Sequence, residues 1–226
     1  VFVTTGQGCA GAGKITREVW TGISGVQISS IPFNEQPNST GDVTLFEAPA
    51  NIGDNYGTRI RGFICPPTSG GYIFWISGND QTELWLSTDE NPANKRRIAN
   101  ATGYTNPREW TKYSSQQSAP VTLVANQKYY IEALHKEAGG NDHISVGWQL
   151  PDGTMERPIA TTRLVAFAGE DAAAADSFAS ELGPGADGGE STLIGLYPNP
   201  TSGRAVTLSI SSDKISKLKE ADVRVI

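Results

Sequence analysis

The chain has 226 residues, with 18 Lys and Arg against 24 Asp and Glu, for a formal net charge of −6. That balance argues against nucleic acid and anionic membranes as partners, because both are held by excess positive charge. A hydrophobic content of 38%, with five Trp, seven Tyr and seven Phe, suffices for a sizeable packed core, and no apolar run approaches the ~18 residues that mark a membrane-spanning helix.

Residues 1–13, "VFVTTGQGCAGAG", read as a glycine-rich lead-in. Gly8 to Lys14 has the outline G-x-x-x-x-G-K of a phosphate-binding loop. Such a loop needs a Ser or Thr hydroxyl directly after the lysine, and a helix beyond it to hold the phosphates. Ile15 stands in the hydroxyl position, and "REVWTGISGVQISS" carries Gly22, Gly25 and β-branched residues where a helix should start. The likeness is one of outline alone.

From 14 to 168 the expectation is an all-β domain, an antiparallel β-sandwich. "RIRGFIC", "TELWLS", "PVTLV" and "KYYIEALHKE" read as strands, and "GYIFWIS" is apolar on both faces, as a central strand of a two-layer stack should be. In "HISVGWQL", Ile144, Val146, Trp148 and Leu150 fall on one face and Ser145, Gly147 and Gln149 on the other. "CPPTSGG", "TDENPANK" and "LPDGT" punctuate the strands with turn formers, and no long stripe of helical period intervenes.

Two loops combine glycine with an Asn-Asp pair. Gly78-Asn79-Asp80 lies in the stretch 77–82 between two strand-like runs, and "GGND", residues 139–142, precedes "HISVGWQL". Asp carboxylates, Asn amides and loop carbonyls are calcium ligands. Gly, Asn and Asp are equally the best turn formers, so composition leaves both readings open.

Enzymatic signals are missing. His135 and His143 accompany neither a G-x-S-x-G elbow nor an H-E-x-x-H motif, and His135 reads as a structural hydrogen-bonding residue within a strand. The spacing of Cys9 and Cys65 rules out a zinc finger and allows either a disulfide or two buried thiols. Two Asn-x-Ser/Thr sequons, at Asn38 and Asn100, matter only in a host that glycosylates them.

Residues 169–192 are rich in Ala, Gly, Asp and Glu and read as a flexible linker. Residues 193–226 contain a strand-like "AVTLSIS" after a Pro-Asn-Pro turn, the beginning of a second β-domain. The chain opens on "VFVTT" and closes on "DVRVI" within a strand-like pattern, so a piece of a longer protein is expected.

Six stretches carry a family resemblance: "REVWTGISG", "SSIPFNE", "GTRIRGFICPP", "GYIFWISGNDQTELWLS", "NPREWTKYSSQQSAPVTLVANQKYYIEALHKE" and "HISVGWQLPDGTMERPI". In that order they resemble the protective-antigen-type (PA-fourteen) domain family across 14–167. The resemblance implies a β-sandwich found in bacterial toxins, yeast adhesins, glycosidases and large secreted proteins. Several members bind carbohydrate through a calcium ion held by two adjacent aspartates joined by a cis peptide, completed by a second loop. Those aspartates match Asn79 and Asp80, and the second loop matches Gly140 to His143, with Asn141 and Asp142 as side-chain donors. Asn79 keeps a neutral oxygen but removes one negative charge, and calcium affinity follows ligand charge. Tyr104, Trp110 and Tyr113 lie in 91–120, where one could stack on a sugar or all could serve the core.

"LYPNPTSGRAVTLSI" in turn resembles the start of the C-terminal sorting domain of the type IX secretion system. This implies export to the surface of a Bacteroidetes-type bacterium by that machinery. Passage through the periplasm favours a Cys9–Cys65 disulfide, with a stabilisation of about 3–4 kcal/mol. Together the resemblances imply a non-catalytic, calcium-dependent carbohydrate-binding or adhesion module, monomeric, secreted or displayed at the cell surface. The alternatives are a spacer without a calcium site and an accessory to an upstream glycosidase or peptidase.

Overall fold

The computed structural model of the protein describes Cys9 and residues 13–167. The linker and the sorting-domain start expected at 193–226 lie outside the described residues.

Eleven strands carry the described chain: β1 (Ile15–Thr21), β2 (Ser39–Val43), β3 (Tyr56–Ile64), β4 (Gly70–Asn79), β5 (Gln81–Leu86), β6 (Arg96–Ala101), β7 (Val121–Leu123), β8 (Tyr129–Glu137), β9 (His143–Gln149), β10 (Met155–Glu156) and β11 (Leu164–Ala166). The only helical elements among the described residues are four single turns of 3₁₀ helix. The strands form two sheets. The seven-stranded sheet runs β2-β1-β3-β8-β5-β6 with β11 added beside β3, and the four-stranded sheet runs β10-β9-β4-β7. All pairings are antiparallel.

The expected antiparallel sandwich is therefore the fold. Its core is filled from both sheets by alternate residues, because successive side chains of a strand point to opposite faces. Ile60 and Ile64 of β3, Leu84 and Leu86 of β5, and Ile131 and Ala133 of β8 meet Phe74 and Ile76 of β4. Ile144, Val146 and Trp148 of β9 and Leu150 just beyond it, read as one face of a strand, all belong to this core. The rings of Tyr72 and Phe74 lie 4.8 Å and 5.8 Å from that of Trp148, within the 4.5–7 Å range of favourable aromatic pairs. A smaller cluster of Trp20, Ile28, Ile31 and Leu134 covers the outer face of the large sheet.

One local expectation is corrected. The stretch 77–82 is not a six-residue loop: β4 continues to Asn79 in register with β9, β5 begins at Gln81, and Asp80 alone separates them. β4 and β5 also belong to different sheets, so Asp80 is the corner where the chain crosses between layers. The β8–β9 connection, residues 138–142, crosses back between the same two sheets. Asn79 pairs with His143, so both crossings share one end of the sandwich.

Cys9 and Cys65 form a disulfide with Cα atoms 5.5 Å apart, and the Cys9 N–H donates to Asn126 O. The bond ties the lead-in to the residue that follows β3.

Candidate functional site

The first wall of the site follows from crowding at the β4–β5 corner. A Cβ on Gly78 would run into the Thr82 side chain and stand 3.1 Å from His143 O, so the close approach requires glycine. Ser77 and Thr105 stitch the corner to the loop after β6: their hydroxyls lie 2.9 Å apart, and Thr105 Oγ1 accepts from the Gly78 N–H at 3.0 Å. The Asn79–Asp80 peptide bond is cis. His135 Nε2 donates to the Asn79 carbonyl, the structural role read for that histidine from its place in a strand.

A pocket of about 230 Å³ opens at this end, with Asn51, Asn79, Tyr104, Asn106, Asn141 and Asp142 on its wall. It thus brings together Asn79, Asn141 and Asp142 of the expected site residues. Asp80 and Gly140 are not on the wall. Asp80 Oδ2 accepts the Ala138 N–H at 3.1 Å, and its charge acts on the ammonium of Lys136. Lys136 is fully buried, its Nζ donates to Glu137 O, and burial followed by the opposing pull of Glu137 and Asp80 leaves its pKa below the usual lysine value. Gly140, at φ +110°, donates its N–H to Asp54 Oδ1.

Asp142 has the decisive environment. Only 1% exposed, it accepts with Oδ2 from the N–H groups of Ile52 and Gly53, at 2.7 Å and 3.2 Å. Its main chain bonds to Asn51 at both ends, the Asp142 N–H to Asn51 Oδ1 and the Asn51 N–H to Asp142 O. Asp142 Oδ1, by contrast, is buried without a partner among the described residues. A buried carboxylate oxygen left unpaired is costly, and the Arg17 guanidinium and the Tyr56 phenol both act on this carboxylate. Nearby, burial and then the Asp142 charge push the Tyr56 phenol above its ordinary range.

The rim adds an aromatic ring. Tyr104 is 58% exposed. Lys112 Nζ sits 3.3 Å from the Tyr104 ring centroid and donates to Tyr104 O, and the Tyr113 hydroxyl reaches the same carbonyl. Trp110 lies elsewhere, 5.9 Å from the Arg157 guanidinium that covers Trp75. His143 is buried against the Ser77 and Thr105 hydroxyls, and burial, then the neighbouring His135, lowers its pKa.

Does this donor set suit a calcium ion? Among the described residues no group of three or more His, Cys, Asp or Glu converges closely enough to hold a metal. The pocket instead brings one carboxylate residue, Asp142, together with Asn79 and Asn141 on its wall. Calcium accepts neutral oxygens and binds more weakly as carboxylates are replaced. Of the two expected carboxylates, Asp142 and not Asp80 lies on the pocket wall. Asn51 and Asn106 escaped the sequence reading, since neither sits in a distinctive motif.

The fold and this end define a class: an antiparallel β-sandwich with a loop-built polar pocket where the chain crosses between sheets. The PA14 domain model matches residues 16–162, and the chain belongs to the PA14 domain family. The chain is 39% identical over 160 residues to a mouse N-acetyl-beta-glucosaminyl-glycoprotein 4-beta-N-acetylgalactosaminyltransferase 1, covering 65% of this chain and 15% of that protein. It is 34% identical over 94 residues to mouse Fibrocystin-L, covering 42% of this chain and 2% of that protein. The chain thus spans a small fraction of the curated relatives it matches. Among solved structures, the PA14 sugar-binding domain from an RTX adhesin aligns with a TM-score of 0.52 and 10% identity over 68% of this chain and 98% of that one. The PA14 domain of the MpAFP antifreeze protein gives 0.52 and 11% over 67% and 90%. At such identities these two establish the shared fold.

Proposed function

We propose that residues 14–168 form a non-catalytic glycan-binding or adhesion module of a secreted or cell-surface protein, acting as a monomer. The observation that carries this reading is the polar pocket at the crossing end, whose wall gathers Asp142, four asparagines (Asn51, Asn79, Asn106 and Asn141), Thr105, His143 and Tyr104. Such a lining suits a sugar, whose hydroxyls both donate to and accept from amides, and whose C–H face stacks on an aromatic ring. Membership of the PA14 family supports the reading, as does the likeness in fold to a domain named for sugar binding.

In this proposal Asp142, Asn79 and Asn141 hold a calcium ion of modest affinity, with Asp80 and the Gly140 region supporting the loops. When bound, the ion supplies a positive centre for sugar hydroxyls. The chain's own part is to orient the amides through the Asn79 carbonyl bond to His135 and the Asn51 bonds to Asp142. Tyr104 offers the stacking surface. Residues 169–192 would act as a linker and 193–226 as the start of a type IX sorting domain that hands the protein to that export machinery, where an oxidising route suits the Cys9–Cys65 bond.

Titration calorimetry of the protein with a panel of glycans, with calcium and with chelator, tests the proposal. Calcium-dependent heat with at least one glycan, lost on Tyr104→Ala, is expected. No heat with any glycan in either condition would overturn it. A second reading, a spacer without an ion, is favoured by Asn79 standing where relatives of the lectin type carry an aspartate. Calcium binding that appears only after Asn79→Asp would establish that reading.

A further inference from the structure

A second opening, larger than the amide-lined pocket, lies at the other end of β5. A groove of about 520 Å³ lies beside Leu86, between residues 96–98 of β6 and residues 118–123 leading into and through β7. Asp80 precedes the opposite end of β5, so the groove is separate from the amide-lined pocket.

Its position follows from the topology. β6 is the last strand of the seven-stranded sheet and pairs with β5 alone, while β7 ends the four-stranded sheet and pairs with β4 alone. Two sheet edges therefore flank one groove. A free edge presents a row of unpaired N–H and C=O groups, which is a template for another strand.

The lining decides the chemistry. Leu86, Leu123 and Tyr129 are buried at its base, and the half-buried Ile98 and Val121 pack against the core beside them. The hydroxyls of Ser87 and Ser118 are already engaged, with Asp89 and Asn91 and with Phe74 and Ala119 respectively. Arg96 and Arg97 are exposed on the rim, and no Asp or Glu lines the groove in a protein of net charge −6. Arg97 is paired with Glu83 at 2.7 Å, whereas Arg96 makes no ion pair among the described residues.

We propose that this groove docks an extended acidic segment of a partner protein, which adds as a strand to the free edge of β6. Main-chain hydrogen bonds to β6 supply affinity, and the inward face of the segment carries aliphatic side chains over the apolar base with a carboxylate at its end opposite Arg96, which shares the face of its pair partner Leu86. The charge excess selects acidic over basic segments and speeds encounter. A polysaccharide chain fits less well, because its hydroxyls would face Leu86, Leu123 and Val121. A second copy is disfavoured too, since β6 ("RRIANA") carries no carboxylate to meet Arg96.

The probes are a short Asp/Val peptide, Asp-Thr-Val-Thr-Val, whose Asp and Val share one face, its Lys/Val counterpart with Lys in place of Asp, and polygalacturonate, titrated into the protein by fluorescence anisotropy. Hydrogen exchange over residues 96–101 reports where they bind. Expected are binding of the Asp/Val peptide that weakens with salt, slowed exchange at 96–101, and a loss of about tenfold on Arg96→Glu, the scale of one close charge pair. Arg96→Ala provides a gentler variant with the same direction. Equal binding of the two peptides overturns the proposal, as does binding that leaves exchange at 96–101 unchanged. Binding of polygalacturonate alone would replace the partner with an anionic polysaccharide. Concentration-dependent self-association abolished by Arg96→Glu would replace it with a second copy.

Discussion

Substituting Asp142 two ways separates its anchoring role from its ligand role. Oδ2 accepts two main-chain N–H groups, from Ile52 and Gly53, whereas Oδ1 has no partner among the described residues. Asp142→Ala removes both bonds, each accepted by a charged group and worth at least about 1.5 kcal/mol, so about 3 kcal/mol is lost. For a domain of this size that lowers Tm by about 6–12 °C. Asp142→Asn keeps one oxygen for the same donors and forfeits only the charge assistance, about 1 kcal/mol or 2–4 °C. The free position then carries an NH₂ group, which no cation accepts. At a calcium concentration a hundredfold above Kd the parent gains about 2.7 kcal/mol, a rise of about 5–10 °C, and both variants lose that gain. Differential scanning calorimetry with calcium and with chelator reads every quantity. A calcium shift in Asp142→Asn equal to the parent's refutes the ligand role of Oδ1. An Ala variant no less stable than the Asn variant refutes the anchoring role of Oδ2.

Other outcomes follow from the same geometry. Replacing both Cys9 and Cys65 by Ser frees a loop spanning a sequence separation of 56, which costs about 4 kcal/mol by the chain-entropy relation and should appear as a lower urea midpoint. Gly78→Ala places a methyl against Thr82 and His143 O. It should cost about 1–3 kcal/mol, as overpacking does, and Thr82→Ser should recover part of that in a double-mutant cycle. His143, its pKa lowered by burial, binds its proton more readily when unfolded. Its contribution to stability is complete above the unfolded value of about 6.5 and declines as pH falls toward the folded one. Urea titrations at descending pH should show a shallower acid-side loss in His143→Gln than in the parent.

Much of the sandwich was legible because burial writes itself into alternation. Ile144, Val146, Trp148 and Leu150 could be placed on one face from the letters alone, and all four lie in the core. The corner at Asp80 was not legible, because a hairpin within one sheet and a crossing between two sheets both need Gly, Asn or Asp. What decides between them is the pairing of Asn79 with His143, a contact over 64 positions of sequence that no local pattern encodes. The candidate site was read in part for the same reason. Both Asn-Asp pairs stood out, but which Asp faces the pocket depends on distant donors. The Ala138 N–H takes one oxygen of Asp80, and the Ile52 and Gly53 N–H groups take one of Asp142.

The two aspartates thus divide the work that adjacent carboxylates share in the calcium-binding members of the family. Asp80 is bound to the main chain of the next crossing and faces a buried ammonium, so its charge is spent on holding β5 and β8 together at the corner. Lys136 has no other acidic neighbour acting on it than Glu137, and a buried cation stripped of a partner charge is strongly destabilising. Asp80 is therefore constrained by the fold whether or not an ion binds. Asn79 is free of that constraint on its side chain: its carbonyl is fixed by His135, and the residue lies on the pocket wall. A carboxylate there would add a second negative charge to a wall that already carries Asp142, whose charge Arg17 offsets, and an amide avoids that addition. The neutral residue at position 79 is consistent with a pocket that keeps its shape without an ion and gains charge only through Asp142.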